Sequence, residues 1–311
     1  MKTPIRIFSY SNSDFQLTEQ QRRGYASVNL FKRTDLFEKA VNPIDADFII
    51  FPIAIDGILE SSTPEKSLLT FLNSLPYYPQ FEEKHIFFSF HDYSEAIDSS
   101  SIFFRASVKR SVATATTFAL PYVVFDEGTT LDSIEYHSSF VGSTSTNVLR
   151  KKLPEILTKA EKLKFFINTV DTFHENLSSS EEKEQRKKLF TDTIHKSLTV
   201  CCPKGNGVQS KRFFEVLSMG RIPILISDDV LLPMEEKIDY SKAILRLSEE
   251  SVFQLENFLA PFFIVNKSQD IIDRFQYARF IWIEYLQPSK WGELIEYTLQ
   301  KCLQKQAKAF K

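Results

Sequence analysis

Short apolar runs recur through the first half of this chain, at residues 5–10, 48–53, 85–90 and 122–125, each of strand length and apolar at consecutive positions. Consecutive apolar positions put hydrophobic side chains on both faces of a strand, which suits a parallel sheet covered on each side by helices. Candidate helices lie between the runs, such as residues 65–75, apolar at Leu68, Leu69, Phe71 and Leu72. Strands alternating with helices predict a doubly wound α/β domain. The second half repeats the pattern. A charged helical stretch at 148–163 leads to a strand at 164–170, then to a polar surface connection at 171–185 that contains SSSEEKEQ. Strands follow at 198–202, 222–226 and 243–247, with helices at 211–219 and 251–259. The last stretch, 271–309, reads as helical, is punctuated by Pro288 and holds both tryptophans, Trp282 and Trp291.

A chain of 311 residues can bury two such cores, and the expected boundary falls around residues 159–164. The predicted division is residues 1–160, residues 161–285, and a returning C-terminal helix at 286–311. Hydrophobic residues at 43% and charged residues at 25% are globular composition. A net charge of −2 gives no reason to expect nucleic acid as a partner. The opening MKTPIRIFSYSNSDF carries charges and no apolar run long enough for a signal peptide or membrane anchor, so no transmembrane segment and a cytoplasmic location are expected. Cys201, Cys202 and Cys302 have neither the even count nor the spacing of a disulfide framework or a zinc site. With 29 phenylalanines against 8 glycines, the phenylalanines report core, and each loop glycine is informative.

The glycines that matter lie in CCPKGNGVQSKRFFEVLSMGRIPILISDD, residues 201–229, which reads as strand, loop, helix and strand with acidic residues where the last strand ends. Gly205 and Gly207 let the loop turn and approach a ligand, and Ser210 is the candidate N-cap of the helix. The helix N-terminus then presents N–H groups and positive partial charge to the loop, which suits a phosphate; Lys204, Lys211 and Arg212 add formal charge there. Glu215, one turn further, can accept the two hydroxyl hydrogens of a ribose. Gly220 closes the helix. Taken alone, a GNG loop with flanking lysines is more often an ordinary solvated turn. Asp228 at a strand's C-terminal end strengthens the nucleotide reading, because ligands of open α/β sheets gather there.

The order of residues in this half resembles a family. Arg212-Phe213-Phe214-Glu215, Gly220 followed by IPILISDD, then LLP and IDYSKAIL are similar to the C-terminal half of exostosin-like glycosyltransferases, without a gap from about Leu198 to Leu245. Earlier segments resemble the family more loosely: ADFIIFPI from Ala46, KHIFFSFHDYS with its His91-Asp92 pair, and FVGSTSTNVLRKKL with Gly142 and Arg150. Many members carry a membrane anchor at the start, and this sequence departs from them there.

The resemblance implies a GT-B type fold: two Rossmann-like doubly wound domains facing across a cleft, the C-terminal one holding the donor, with C-terminal helices packing back on the first domain. It implies an inverting enzyme that moves a sugar from a nucleotide-diphosphate sugar, UDP-linked or else GDP-linked, to an oligosaccharide or glycan acceptor, with no further cofactor. The implied donor-binding residues are Arg150, Lys204, Gly205, Ser210, Arg212, Glu215, Ser227 and Asp228. Negative charge growing on the departing diphosphate would meet the helix N-terminus, Arg212 and Arg150, an arrangement that needs no metal, although Asp228 and Asp229 look like a carboxylate pair. His91 or Asp92 is the candidate base, with Asp126 and Glu127 as competitors. His85, His137, His174 and His195 match nothing in the family. Arg105, Lys109 and Arg110 read as a basic stretch, more often a solvated helix face than a contact for an acidic acceptor or the diphosphate. Lacking a Walker loop or Gly-rich fingerprint after its first strand, the chain does not read as a kinase or an oxidoreductase. A non-catalytic member that binds a glycan or a partner is the alternative.

Overall fold

The computed structural model describes residues 3–11, 13–19, 21–22, 26–130, 133–171 and 179–309. The chain divides into two compact units, one of residues 1–120, 231–234 and 288–311, the other of 121–230 and 235–287.

The first unit is built on six strands: β1 (Ile5–Ser9), β2 (Phe37–Lys39), β3 (Phe48–Ile50), β4 (His85–Ser89), β5 (Ile102–Arg105) and β6 (Thr117–Ala119). They form one parallel sheet in the order β2-β1-β3-β4-β5-β6. Its crossovers carry α1 (Asp56–Leu59), α2 (Pro64–Ser74) and α3 (Tyr78–Phe81). Pro64 starts α2, where a missing N–H costs nothing. Leu68, Phe71 and Leu72 on α2 meet Phe51, Phe87 and Phe103 in the core. The abundance of phenylalanine has a concrete use here. Register pairs Phe87 with Phe103 and Phe88 with Phe104, and both ring pairs stack, with centroids 5.5 and 5.2 Å apart.

Two expectations for the first half of the chain fail. Residues 122–125 form no strand: Pro121 has no N–H to donate, β6 already occupies the place beside β5, and Phe125 is 80% exposed. Arg105 is not on a solvated helix face, because it ends β5 and is buried, its guanidinium donating to the Glu95 and Tyr93 carbonyls.

The second unit runs β7 (Tyr136–Ser143), α4 (Val148–Thr158), β8 (Phe165–Val170), α5 (Ser180–His195), β9 (Ser197–Pro203), α6 (Lys211–Ser218), β10 (Ile222–Ile226), β11 (Leu245–Arg246), α7 (Leu255–Val265) and α8 (Ser268–Ile281). Its parallel sheet has the order β11-β10-β9-β7-β8. Counted from its own first strand this is 2-1-3-4-5, the order of the first five strands of the other unit. Both halves are therefore Rossmann-like, each with a switch point beside its first strand. The core of the second unit gathers Phe140, Leu149, Leu153, Leu157, Cys201, Ile224 and Leu255.

The division expected at residue 160 lies forty residues too late. β7 bonds to β8 along six residue pairs and to β9 on its other side, so it belongs wholly to the second sheet. The expected surface connection at 171–185 is also shorter. Ser179 accepts from the Glu182 N–H and Glu181 and Glu182 fill the first turn, so residues 179–185 open α5. The final helix α9 (Trp291–Ala309) belongs to the first unit, where Trp291 stacks on Phe90 at 5.5 Å and Arg33 bridges to Glu293 at 3.2 Å. Among the described residues no helix is long and apolar enough to cross a membrane.

Candidate donor site

The switch point of the second sheet lies between β7 and β9, where crossovers leave in opposite directions and open a crevice at the strand ends. The segment leaving β9, residues 204–210, is the loop singled out in the sequence. Asn147 caps α4 by accepting from Leu149 N–H at 3.0 Å, and its amide nitrogen donates to the Gly205 carbonyl at 3.1 Å. Arg150 donates from Nε to the Lys204 carbonyl at 3.0 Å and from Nη2 to that of Pro203 at 3.1 Å. One helix N-terminus thus braces the loop that leads into the next.

That geometry changes the work of several expected ligands. Arg150, expected to meet a diphosphate, is turned onto the loop's own backbone and holds its shape. Gly205 and Gly207 are not in the left-handed region; the positive-φ glycines among the described residues are Gly128, Gly142 and Gly220. Gly205 makes room instead, because a Cβ there would lie 3.3 Å from Arg150 Nη2. Ser210 stands at the N-cap position of α6, yet its hydroxyl caps no N–H and lies 3.5 Å from Arg150 Nη2. Gly220, at φ 63°, ends α6 in the left-handed conformation expected of it.

Arg212, on the first turn of α6, is the most unusual side chain of the unit. It is buried, lies over the Phe140 ring at 4.6 Å, and donates from Nη2 to the Val141 carbonyl at 2.6 Å. Its Nε and Nη1 are buried with no hydrogen-bond partner, and among the described residues no carboxylate reaches ion-pair distance. Burial pulls its pKa below the usual value. Glu215, one turn along the same helix, is half-buried and its carboxyl is pushed up by desolvation, with Lys211 and Arg212 offsetting part of that effect. A cation with unspent N–H groups and a carboxylate with unspent acceptor capacity lie together at the head of one helix.

A second cluster fixes the far side of the loop. Ser227 follows β10 and donates to the Val208 carbonyl at 2.7 Å. Asp228 and Glu249 clasp each other: the Asp228 N–H donates to Glu249 Oε1 at 3.3 Å, and the Glu249 N–H to Asp228 Oδ1 at 3.1 Å. The other oxygen of Glu249 takes the Lys204 ammonium at 2.6 Å. Among the described residues no three His, Cys, Asp or Glu side chains are grouped to hold a metal.

Glu249 and Gln209 were not anticipated. Gln209 is buried with neither amide atom hydrogen-bonded, and a lone glutamine in a loop gives no signal in a sequence. Asn147 was legible in principle, as an asparagine directly before a helical pattern.

In the first unit, His91 and Asp92 follow β4 as expected. The residue that organises them was missed. Asp56 Oδ1 accepts from Phe90 N–H at 2.7 Å, His91 N–H at 3.1 Å and Ser89 Oγ at 3.0 Å, while His91 Nδ1 accepts from Tyr93 N–H at 3.1 Å. Burial raises the Asp56 carboxyl above its ordinary value, against those hydrogen bonds. The competing acids are engaged elsewhere: Asp126 in a two-pronged pair with Arg279, at 2.6 and 2.8 Å, and Glu127 with Lys187 at 3.0 Å. Of the unmatched histidines, His85 is buried between the Phe81 carbonyl at 2.7 Å and Tyr10 Oη at 2.8 Å. Nδ1 must carry the proton toward the carbonyl, so Nε2 accepts from the tyrosine. His137 Nδ1 accepts from Lys164 N–H, His195 Nε2 lies 3.3 Å from the Gly128 carbonyl, and His174 lies outside the described residues. Lys109, from the expected basic stretch, is paired with Glu95.

Two Rossmann-like units of one strand order are the components of the GT-B class of fold. Within it, the sequence model of the exostosin GT47 domain matches residues 23–262, and the chain belongs to that family. It is 33% identical over 76 residues to exostosin-1 of Drosophila melanogaster, a stretch covering 24% of this chain and 10% of that protein. To a probable glucuronosyltransferase of Oryza sativa subsp. japonica it is 30% identical over 71 residues, 23% of this chain and 17% of that one. The matched stretches therefore span less than a fifth of either relative. Among solved structures it is similar to the Anabaena protein Alr3699/HepE, crystallised with UDP and glucose, at 10% identity and a TM-score of 0.49 over 96% of this chain and 100% of that one.

Proposed function

We propose that the chain is an inverting glycosyltransferase that takes a sugar from a nucleoside diphosphate, UDP before GDP, and passes it to a hydroxyl of a glycan. The observation that carries this reading is Arg212: a buried guanidinium with two unpartnered nitrogens, at the head of a helix beside a sheet's switch point, suits an anion and has no protein anion to satisfy it. The diphosphate would lie against Arg212, the α6 N-terminus and Lys204. Glu215 would accept from the ribose hydroxyls. Gly205, Ser210, Arg150, Ser227 and Asp228 would keep the loop in shape.

In the reaction a base removes the acceptor hydroxyl's proton, the oxygen forms its bond to the anomeric carbon, and the bond from that carbon to the phosphate oxygen breaks on the opposite face. The electron pair leaves with the diphosphate, and the charge it gains falls on Arg212 and the helix N-terminus. His91 or Asp92 is the proposed base. Family membership and the placement of both residues directly after β4 support that reading.

Isothermal titration with UDP and GDP tests the donor site, and a protein that binds neither removes the proposal. Incubation with a panel of nucleotide sugars, without acceptor, should release nucleoside diphosphate from the true donor by slow hydrolysis. Loss of turnover in Asp92→Asn or His91→Ala with donor affinity unchanged identifies the base; full activity in both excludes the pair.

A further inference from the structure

In the second unit α4 and α7 pack together and present exposed apolar side chains. Its apolar part is the end of α7. Positions 254, 257, 261, 264 and 265 share one side of a helix, and here that side finishes in Pro261, Ile264 and Val265, with Ile264 82% and Val265 76% exposed. At the other end, about 15 Å away at helical rise, Phe253 is 58% exposed. Beside Phe253 opens a cavity of about 140 Å³ floored by Ile156, Leu157, Ala160 and Phe165.

The α4 side of this apolar surface is rich in lysine, although Lys159 is paired with Glu155 at 2.6 Å and Glu250 and Glu256 lie on the α7 side. Residues 148–164 hold Arg150 and lysines 151, 152, 159, 162 and 164 against Glu155 and Glu161, in a chain whose net charge is −2. Arg150 is buried, and the five lysines are exposed. Lys152 lies over the Phe253 ring at 5.1 Å. Glu256 accepts from the N–H groups of Glu161, Lys162 and Leu163, and so fastens the lysine-bearing turn against α7. Lys267 follows the helix end, exposed. Aliphatic side chains that stand clear of the surface, framed by lysines whose stems can lie along an interface, have the chemistry of a helix resting in the headgroup layer of an anionic bilayer. A second copy of the chain fits this face poorly, because a two-fold contact would set lysine against lysine.

We propose that the α4–α7 face is a peripheral membrane-docking surface for anionic lipid. The test is co-sedimentation of the whole chain with vesicles of phosphatidylcholine alone and of phosphatidylcholine mixed with phosphatidylglycerol, at low and raised salt. The expected result is binding to the mixed vesicles only, weakened by salt. Each lysine removed should lower the partition coefficient by roughly five-fold, so Lys152→Glu with Lys162→Glu should abolish binding. Ile264→Ser with Val265→Ser should weaken it at least as much without changing the folded spectrum, and Val41→Ser, an exposed aliphatic change in the first unit, should leave it unchanged. Absence of binding to either vesicle, or binding indifferent to the α4 and α7 variants, overturns the proposal. So does a wild-type dimer in analytical ultracentrifugation that the Ile264 and Val265 changes split, since a second copy would then own the face.

Discussion

Gly142 and Arg212 share one space: a Cβ on Gly142 would lie 2.1 Å from Arg212 Nη2. The glycine also sits at φ 153°, a conformation side chains avoid, in the strand whose Val141 carbonyl accepts from the same nitrogen. Gly142→Ala should push the guanidinium out of its seat, costing about 2 kcal/mol of stability and most of the affinity for UDP. Urea unfolding and isothermal titration read the two effects separately. A variant that keeps wild-type UDP affinity would remove Arg212 from the donor site.

Glu249 holds Lys204 at 2.6 Å, so the carboxylate competes with any diphosphate for that ammonium. Glu249→Gln keeps an acceptor for the Asp228 N–H and releases the lysine's charge. The expected result is UDP bound two- to five-fold more tightly, the scale of a half-exposed ion pair at about 0.5–1 kcal/mol. Lys204→Met should weaken binding. Unchanged affinity in both would make Lys204 a strut of the loop and no more.

Both sheets were legible because their central strands are apolar on two faces, and the β9-loop-α6-β10 segment because each turn within it has its own chemistry: Gly220 at the helix end, Asp228 at the strand end. The short strands were not. β5 and β6 span four and three residues, and Arg105 inside one of them read as a solvated cation because nothing local announces that its guanidinium will meet two backbone carbonyls. The boundary was missed for a similar reason, since only pairing to β8 and β9 assigns β7 to the second sheet. Side-chain roles that depend on distant partners, such as Asp56 at the foot of the His91 turn, leave no pattern along the chain.

Asp56 Oδ1 accepts from the Phe90 N–H at 2.7 Å and shares that of His91 with the Ser89 hydroxyl. Asp56→Ala should cost about 1–3 kcal/mol for the hydrogen bonds that the carboxylate now accepts from the turn. Turnover should fall while UDP affinity stays level, because the proposed donor residues lie in the other unit. Asp56→Asn, which retains an oxygen at the same place, should recover most of both losses. If turnover is untouched in Asp56→Ala at a temperature where the variant is folded, the His91–Asp92 turn is not the base.

His85 links protonation to the stability of the first unit. Burial drops its pKa from 6.5 to about 4, so it folds neutral between Phe81 and Tyr10. The unfolded chain takes up the proton first as pH falls. Its contribution is therefore complete above about pH 6.5 and is lost progressively toward pH 4, on the order of 3 kcal/mol. Urea midpoints measured across that window should fall more steeply for the wild type than for His85→Gln. Parallel slopes would place the acid sensitivity elsewhere.

Glu215 should trade stability for binding. Its carboxyl is raised by burial in the folded protein, so the folded state holds that proton more tightly than the unfolded chain does. The stability this confers is present below about pH 4.3, the ordinary glutamate value, and is lost as pH rises through the raised folded value. Glu215→Gln should therefore match the wild type in acid and exceed it in thermal midpoint at neutral pH without ligand. The same change should weaken UDP by about 2 kcal/mol, roughly thirty-fold, if the ionised carboxylate accepts from both ribose hydroxyls. Comparing UDP with its 2′-deoxy analogue isolates that contact: the wild type should prefer UDP, and Glu215→Gln should narrow the preference. A preference of equal size in both proteins would leave Glu215 as a half-buried acid with no hold on the ribose, and the donor site would then rest on Arg212 and the α6 N-terminus alone.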